Sequence, residues 1–360
     1  MMHRQLRVAG PLRAVLGVAA IFLLASAGIA QQSQQAPARQ NPPTPGFDNV
    51  EVKSLHVQGN VWMLVGGPFN AAVQVGDDGV LVVDTMVQPL ADKMLAEVKR
   101  LAGDKTIRYI INTHAHPDHT GGNETIAVAG RSIVAGNFAG QVGPDAANSA
   151  TIFAHENVLT RMSQAGGPEG AGNGDQKLPF KALPTDTFFD EEKDIFFNGE
   201  GIQLIHIPNA HTDGDIMVWF RKSDVVVAGD LFVMTTYPII ATQQGGNLNG
   251  IITALNRILD ITIPKDRQEG GTYVIPGHGR LTDEADVVEY RDMVTIIRDR
   301  FQNAVKKGMT LEQVKAARLT RDYDGRWGAT TGFWTTDAFI EAAYRSLSPA
   351  TGKTSTAKSR

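Results

Sequence analysis

Three histidines and one aspartate fall within six residues of this chain, at His114, His116, Asp118 and His119. They directly follow residues 106–111, a β-branched run that predicts a strand, so the cluster lies in a loop at a strand end. Imidazole and carboxylate are ligands of zinc and iron. His114 and His116 can converge on one ion, whereas Asp118 and His119 are carried round a turn toward a second position. This segment cannot close two metal sites alone, so the fold must bring further ligands to it.

The 360-residue chain contains no cysteine. This excludes disulfides, thiolate nucleophiles, iron–sulfur clusters and cysteine-ligated zinc, so any metal must be held by His, Asp or Glu. The 34 basic and 38 acidic residues give a net charge of −4. Nucleic acid and anionic membrane surfaces require clustered Lys and Arg, so we expect neither as a partner.

The N-terminal residues predict export. Three arginines precede an apolar run at 14–25 that ends in small residues, as in a signal peptide, and the run is shorter than the roughly 18 apolar residues of a membrane span. We expect residues 1–30 to be removed and the mature protein to be periplasmic or secreted, without a membrane partner. Residues 31–49 form a Gln/Pro-rich linker, 50–347 the folded domain and 348–360 a flexible tail.

The folded part predicts two successive series of strands and helices. Short β-rich runs at 50–57, 61–65, 71–75 and 80–84, separated by turn residues, indicate an antiparallel meander. Further strands are predicted at 106–111, 202–207, 215–220, 225–228 and 272–275. Helices are predicted from Pro89 to Gly103, around 153–162, at 249–259, at 284–307 and after the Thr310–Gln313 capping box. Two face-to-face sheets, each covered by helices, would bury both series in one α/β domain.

Three more candidate ligands lie at the ends of predicted strands, beside small residues: His211, Asp230 and His278. An aspartate buried after an apolar run is costly unless it is paired or binds a metal. Each residue alone fits a capping or turn role better than a ligand role. Together with the first cluster, however, the three favour a metal site.

In these motifs the chain resembles the metallohydrolases of the metallo-β-lactamase fold superfamily, over residues 50 to about 347. The resemblance implies a four-layer αββα sandwich with a dinuclear site. It places one ion on His114, His116 and His211. It places the other on Asp118, His119 and His278, with Asp230 bridging the two. Asp84 matches a family aspartate that orients the ligand loop through hydrogen bonds.

A hydrolase follows from this resemblance. Two zinc ions, with iron or manganese as alternatives, would lower the pKa of a shared water and supply metal-bound hydroxide at neutral pH. Asp118 would act as the catalytic residue that orients the hydroxide and returns a proton to the leaving group. The expected substrate is a small ester, lactone, thioester or amide, and specificity is expected from the loops 66–70 and 163–184.

Three alternatives stay open. The family's β-lactamases usually carry Cys or Ser where this chain has Asp230, although export suits a metallo-β-lactamase. An iron-dependent oxidoreductase of the sulfur-dioxygenase kind would use His114, His116, His211 and Asp230 for a single ion. A non-catalytic binding protein is the third. Tyr237 is a candidate for facing the substrate because it follows Asp230 closely. The oligomeric state is not determined by the sequence.

Overall fold

The structure is a computed structural model that describes residues 46–133, 148–164 and 177–348. The predicted signal at 1–30, the linker up to residue 45 and the tail from residue 349 lie outside the described residues. Residues 165–176 of the predicted specificity loop also lie outside them.

The first sheet contains seven strands in the order in which they occur along the chain. They are β1 (Val52–Gln58), β2 (Val61–Gly66), β3 (Phe69–Gly76), β4 (Gly79–Val83), β5 (Ile107–Ile111), β6 (Thr151–His155) and β7 (Asp186–Phe188). Strands β1 to β4 pair antiparallel, which confirms the predicted meander. Strands β4 to β7 pair parallel, so their carboxyl ends meet at one edge of the sheet.

The second sheet contains six strands in the order β13-β12-β11-β10-β9-β8. They are β8 (Glu192–Phe197), β9 (Glu200–His206), β10 (Ile216–Phe220), β11 (Val225–Val233), β12 (Tyr273–His278) and β13 (Thr282–Asp283). Only β11 and β12 pair parallel among these described strands. Because β11 and β12 run in the same direction, their carboxyl ends meet at the same edge of the sheet.

Nine α-helices lie among the described residues. They are α1 (Ala91–Ala102), α2 (Pro117–Thr120), α3 (Asn123–Val128), α4 (Glu156–Met162), α5 (Leu248–Ile261), α6 (Glu284–Lys306), α7 (Leu311–Ala317), α8 (Asp324–Trp327) and α9 (Thr336–Leu347). Gly103 ends α1 with φ 62°, a conformation that favours glycine, and the predicted Thr310–Gln313 capping box opens α7. None of the described helices has the length and apolar character needed to cross a membrane.

Three apolar clusters define four layers. The central cluster joins residues of both sheets, such as Val61 and Leu81 from the first and Leu204 and Val218 from the second. One outer cluster packs α1 and α3 on the first sheet, and the other packs α5, α6, α7 and α9 on the second. The α/β class and the αββα sandwich are confirmed.

Two parts of the prediction were wrong. Residues 153–155 belong to β6 rather than to a helix, because this β-branched and aromatic run is buried and pairs with β5 on one side and β7 on the other. Helix α4 begins only at Glu156. Strands β7 and β8 were not predicted, since β8 is a charged edge strand that buries few of its side chains.

Candidate metal centre

The structure brings together all seven residues that the sequence proposed as ligands. They form two groups, and within each group the ligand atoms lie within 4.8 Å of one another. The first group is His114, His116 and His211, and the second is Asp118, His119, Asp230 and His278. The loop after β5 and helix α2 supply four of these residues, the loop after β9 supplies His211, and β11 and β12 supply the rest.

Asp230 lies between the two groups. Its Oδ1 atom is 3.3 Å from Nε2 of His119 and 3.3 Å from Nε2 of His278. Its Oδ2 atom is 3.7 Å from Nε2 of His211, in the first group. The carboxylate thus presents one oxygen to each group. The sequence placed Asp230 after a strand, whereas β11 continues to Val233 and holds Asp230 inside the strand.

Backbone carbonyls orient two of the imidazoles. Nδ1 of His211 lies 2.8 Å from the carbonyl oxygen of Ile239, and Nδ1 of His278 lies 2.8 Å from that of Pro68. A carbonyl only accepts hydrogen bonds, so each Nδ1 carries a proton and Nε2 is left as the nitrogen that can bind a metal. Both Nε2 atoms face the ligand groups.

Asp84 orients the loop that carries the first cluster. Its Oδ1 accepts the Thr113 backbone N–H at 2.8 Å, and its Oδ2 accepts the Thr113 hydroxyl and His119 Nδ1–H, both at 2.7 Å. Since Thr113 gives its hydroxyl proton to Asp84, its oxygen accepts from Nδ1 of His114, 3.1 Å away. Asp84 is buried and has a left-handed backbone with φ 61°. The carboxylate therefore sets the ring orientation of both His119 and His114.

Several buried polar atoms of the site lack a hydrogen-bond partner among the described residues: Nε2 of His114, Nε2 of His119 and Oδ1 of Asp230. Such atoms are costly to bury unless something else satisfies them. In addition, Nδ1 of His116 lies 2.8 Å from Nε2 of His211, which requires a proton or a cation between the two nitrogens. Nitrogen and carboxylate oxygen atoms in this arrangement fit divalent zinc or iron.

The electrostatics differ between the two groups. Burial, and then the neighbouring His211, lower the pKa of His116 to about 3, and burial with the adjacent histidines holds the pKa of His114 well below its usual value. These imidazoles stay neutral at pH 7, as metal ligands must. In the second group, burial opposes protonation of His278, but Asp230 and Asp118 raise its pKa to about 10. The surplus of negative charge there favours a cation.

Two residues that the sequence did not single out as site residues support the site. Asn70 is buried and donates through Nδ2 to the carbonyls of Pro276 and Gly279, at 2.8 and 2.9 Å, on either side of His278. A side chain at position 277 would collide with Oδ1 of Asp230, so only glycine fits there. Asn70 could have been found in the sequence as a polar residue near the start of an otherwise apolar strand. The signal for Gly277 was the Pro-Gly-His-Gly sequence.

Tyr237 does not have the predicted place beside the substrate. It is only 1% exposed, and its ring stacks on Phe339 of α9 with centroids 4.6 Å apart. An aromatic ring does lie beside the site: Phe69, in the predicted specificity loop, packs edge-on against His278 with centroids 5.9 Å apart. The β2–β3 turn thus lies against His278 on one side of the second ligand group.

Residues 64–137 match the family model described as "Metallo-beta-lactamase superfamily". This stretch contains Asp84 and the His114–His119 cluster. Among curated proteins, the chain is 28% identical over 204 residues to the 2,4-dinitroanisole O-demethylase subunit alpha of Nocardioides sp. (strain JS1661), covering 55% of this chain and 52% of that protein. It is 25% identical over 270 residues to a linear primary-alkylsulfatase of Pseudomonas sp. (strain ATCC 19151), covering 66% and 47%.

A solved structure has the same fold. The sec-alkylsulfatase Pisa1 from Pseudomonas sp. superposes with a TM-score of 0.58 at 15% identity, over 82% of this chain and 50% of that one. The chain therefore spans about half the length of this structure and of the two curated relatives.

Proposed function

We propose that this chain, a member of the metallo-beta-lactamase superfamily, is a metal-dependent hydrolase with a dinuclear zinc site. The observation that carries the proposal is the position of Asp230, whose two carboxylate oxygens face two separate groups of ligands. A single ion would not require both groups, because each of them already offers at least three ligand atoms.

The seven candidate ligands would form two metal positions. His114, His116 and His211 would hold one ion, and Asp118, His119 and His278 the other, with Asp230 shared by both. When bound, such a pair of ions supplies an activated water at neutral pH and polarises the scissile group of the substrate. Iron or manganese would be alternatives to zinc, because the ligands are all nitrogen and oxygen.

Asp118 is the candidate for proton transfer. Its Oδ2 lies 3.3 Å from Nε2 of His278 and 3.6 Å from Nε2 of His119. Its side chain is 27% exposed, against 3% for Asp230, so Asp118 reaches the open side of the site. Burial favours the neutral acid, but the charges of His119 and His278 keep the pKa of Asp118 below its usual value. It can accept a proton there and return it to a leaving group.

The substrate is proposed to be a small ester, lactone, thioester or amide. Two of the similar proteins are named as alkylsulfatases, so alkyl sulfate esters belong in the same test. Hydrolysis of a β-lactam is the alternative, and the export signal proposed for residues 1–30 would place either activity in the periplasm or outside the cell. The sulfur-dioxygenase alternative would use one iron per chain.

Metal analysis and a substrate panel test the proposal. We would measure metal per chain by mass spectrometry. We would then assay lactones, thioesters, alkyl sulfates, phosphodiesters and a chromogenic β-lactam on zinc-loaded protein, with EDTA as the blank. His114→Ala and Asp230→Ala should abolish turnover and lower the metal content, whereas His56→Ala, at an exposed histidine of β1, should do neither. One iron per chain, or activity that survives both site changes, would contradict a dinuclear hydrolase.

A further inference from the structure

Residues 236–241 connect the metal centre to the C-terminal helices. This segment, which we name the 236–241 segment, follows β11 and therefore begins a few residues after Asp230. At its far end, the Ile239 carbonyl accepts the Nδ1–H of His211 at 2.8 Å, and the Ala241 N–H donates to the His211 carbonyl at 3.0 Å. The segment thus contacts both the ring and the backbone of one proposed ligand.

Tyr237 attaches the segment to helices outside the site. Its hydroxyl donates toward Oδ1 of Asp324 at 2.9 Å and the carbonyl of Thr320 at 3.1 Å. Its backbone N–H donates to the Trp327 carbonyl at 3.1 Å. The ring stacks on Phe339 at an interplanar angle of 11°. Burial, followed by the neighbouring Asp324, raises the pKa of Tyr237 well above its usual range, so the hydroxyl remains a donor.

The chain between Tyr237 and Ile239 has little conformational freedom. Pro238 has a fixed φ, and the residue before a proline is restricted to extended backbone. Tyr237 is therefore linked to the Ile239 carbonyl through a stretch with fewer free backbone rotations than three ordinary residues would have. The carbonyl in turn selects which nitrogen of His211 carries the proton.

We propose that Tyr237 is a positioning residue for His211, which it orients through Pro238 and the Ile239 carbonyl. The inference rests on the proposed function, since it concerns one of the two metal positions. It assigns the C-terminal helices α8 and α9 a role in metal binding, although they supply none of the proposed ligands.

The test compares two Tyr→Phe changes. Tyr237→Phe keeps the ring that stacks on Phe339 and removes only the hydroxyl. Tyr344→Phe is the matched control: the Tyr344 hydroxyl also donates to a backbone carbonyl, that of Met309 at 2.9 Å, but neither Tyr344 nor Met309 belongs to the 236–241 segment. Asp324→Ala is a second variant, which removes an acceptor of the Tyr237 hydroxyl and leaves the tyrosine in place.

Two readouts separate positioning from a general loss of stability. Competition with a zinc chelator gives the affinity of each zinc equivalent. Tyr237→Phe should weaken one equivalent about tenfold, the low end of the effect of losing an outer hydrogen-bond partner of a ligand, and leave the other unchanged. In 15N-labelled metal-free protein, the Nδ1–H of His211 should exchange with solvent faster in Tyr237→Phe and Asp324→Ala than in wild type or Tyr344→Phe.

The outcomes are distinct. If Tyr237→Phe lowers the melting temperature as Tyr344→Phe does, with both zinc affinities and the His211 exchange unchanged, Tyr237 is only a core residue and the inference is overturned. If wild-type protein binds no metal, the proposed function fails. The exchange measurement then still decides whether Tyr237 holds His211.

Discussion

Oδ2 of Asp84 lies 2.7 Å from Nδ1 of His119, and the same carboxylate accepts hydrogen bonds from the backbone N–H and the hydroxyl of Thr113. Through Thr113 the same carboxylate reaches His114, so one buried side chain orients a ligand in each group. Ligand orientation at this site therefore depends on hydrogen bonds made away from the ligand atoms.

Replacing Asp84 tests this dependence. Asp84→Asn presents an N–H where an acceptor is needed, so we expect metal affinity to fall about 10- to 100-fold. Zinc titration against a chelator measures the change. Asp77→Asn is the matched control, because Asp77 is fully exposed and forms a surface ion pair with Lys105. Equal affinities for the two variants would contradict the role of Asp84.

Asn70→Ala should weaken the position that contains His278. The change leaves the buried Pro276 carbonyl and the half-buried Gly279 carbonyl without this donor, and an unsatisfied buried group costs about 1–3 kcal/mol. We expect a lower denaturation midpoint and weaker binding of one zinc equivalent, measured by urea unfolding and chelator competition. Asn256→Ala, at an exposed asparagine of α5, should change neither.

Gly277→Ala should remove metal binding. The added Cβ would collide with Oδ1 of Asp230 and lie 2.9 Å from the backbone carbon of Gly229, so the carboxylate would have to move. Metal content per folded chain is the measurement. Gly325→Ala adds the same methyl group where no atom lies within 4 Å, and this control should retain its metal. A Gly277→Ala protein with full metal content would show that Asp230 has another position available.

Zinc should stabilise the fold. A ligand that binds only the native state adds about 2.7 kcal/mol at one hundred times its Kd. The melting temperature should therefore rise with zinc concentration and fall with EDTA. In Asp230→Ala the zinc-dependent rise should be much smaller, and a rise equal to wild type would place the metal elsewhere.

His155 should make stability depend on pH. Its ring stacks on that of His206 with centroids 3.6 Å apart, and burial, followed by the charge of His206, lowers the pKa of His155 to about 4. Between pH 6.5 and about 4 the unfolded chain binds a proton at His155 that the folded protein does not, so the free energy of unfolding decreases as the pH falls through this range.

Comparison of wild type with His155→Asn separates the contribution of His155 to the pH dependence of stability from that of the metal ligands. The variant should lose less stability than wild type between pH 6.5 and 4, measured by chemical denaturation at each pH. Identical pH dependence in the two proteins would contradict the assignment.

The sequence by itself determined the chemistry and most of the order of elements. The absence of cysteine restricted metal ligands to His, Asp and Glu, and the spacing within His114–His119 indicated more than one ion. Turn residues between short apolar runs predicted the meander, and hydrophobic periodicity predicted the long helix α6. Both patterns are local in the sequence. Strand β8 was not predicted and residues 153–155 of β6 were assigned to a helix, since a short charged edge strand and a buried strand directly before a helix have no distinctive local pattern.

Only the tertiary structure decided how the ligands are oriented. Two of the partners that orient the imidazoles are backbone carbonyls far away in sequence: Pro68 for His278 and Ile239 for His211. Backbone carbonyls occur at every residue and carry no sequence signal, so their role appears only once the chain is folded. The same holds for Tyr237, whose position near Asp230 in sequence indicated a substrate contact. The packing of α9 against it instead places it in the core.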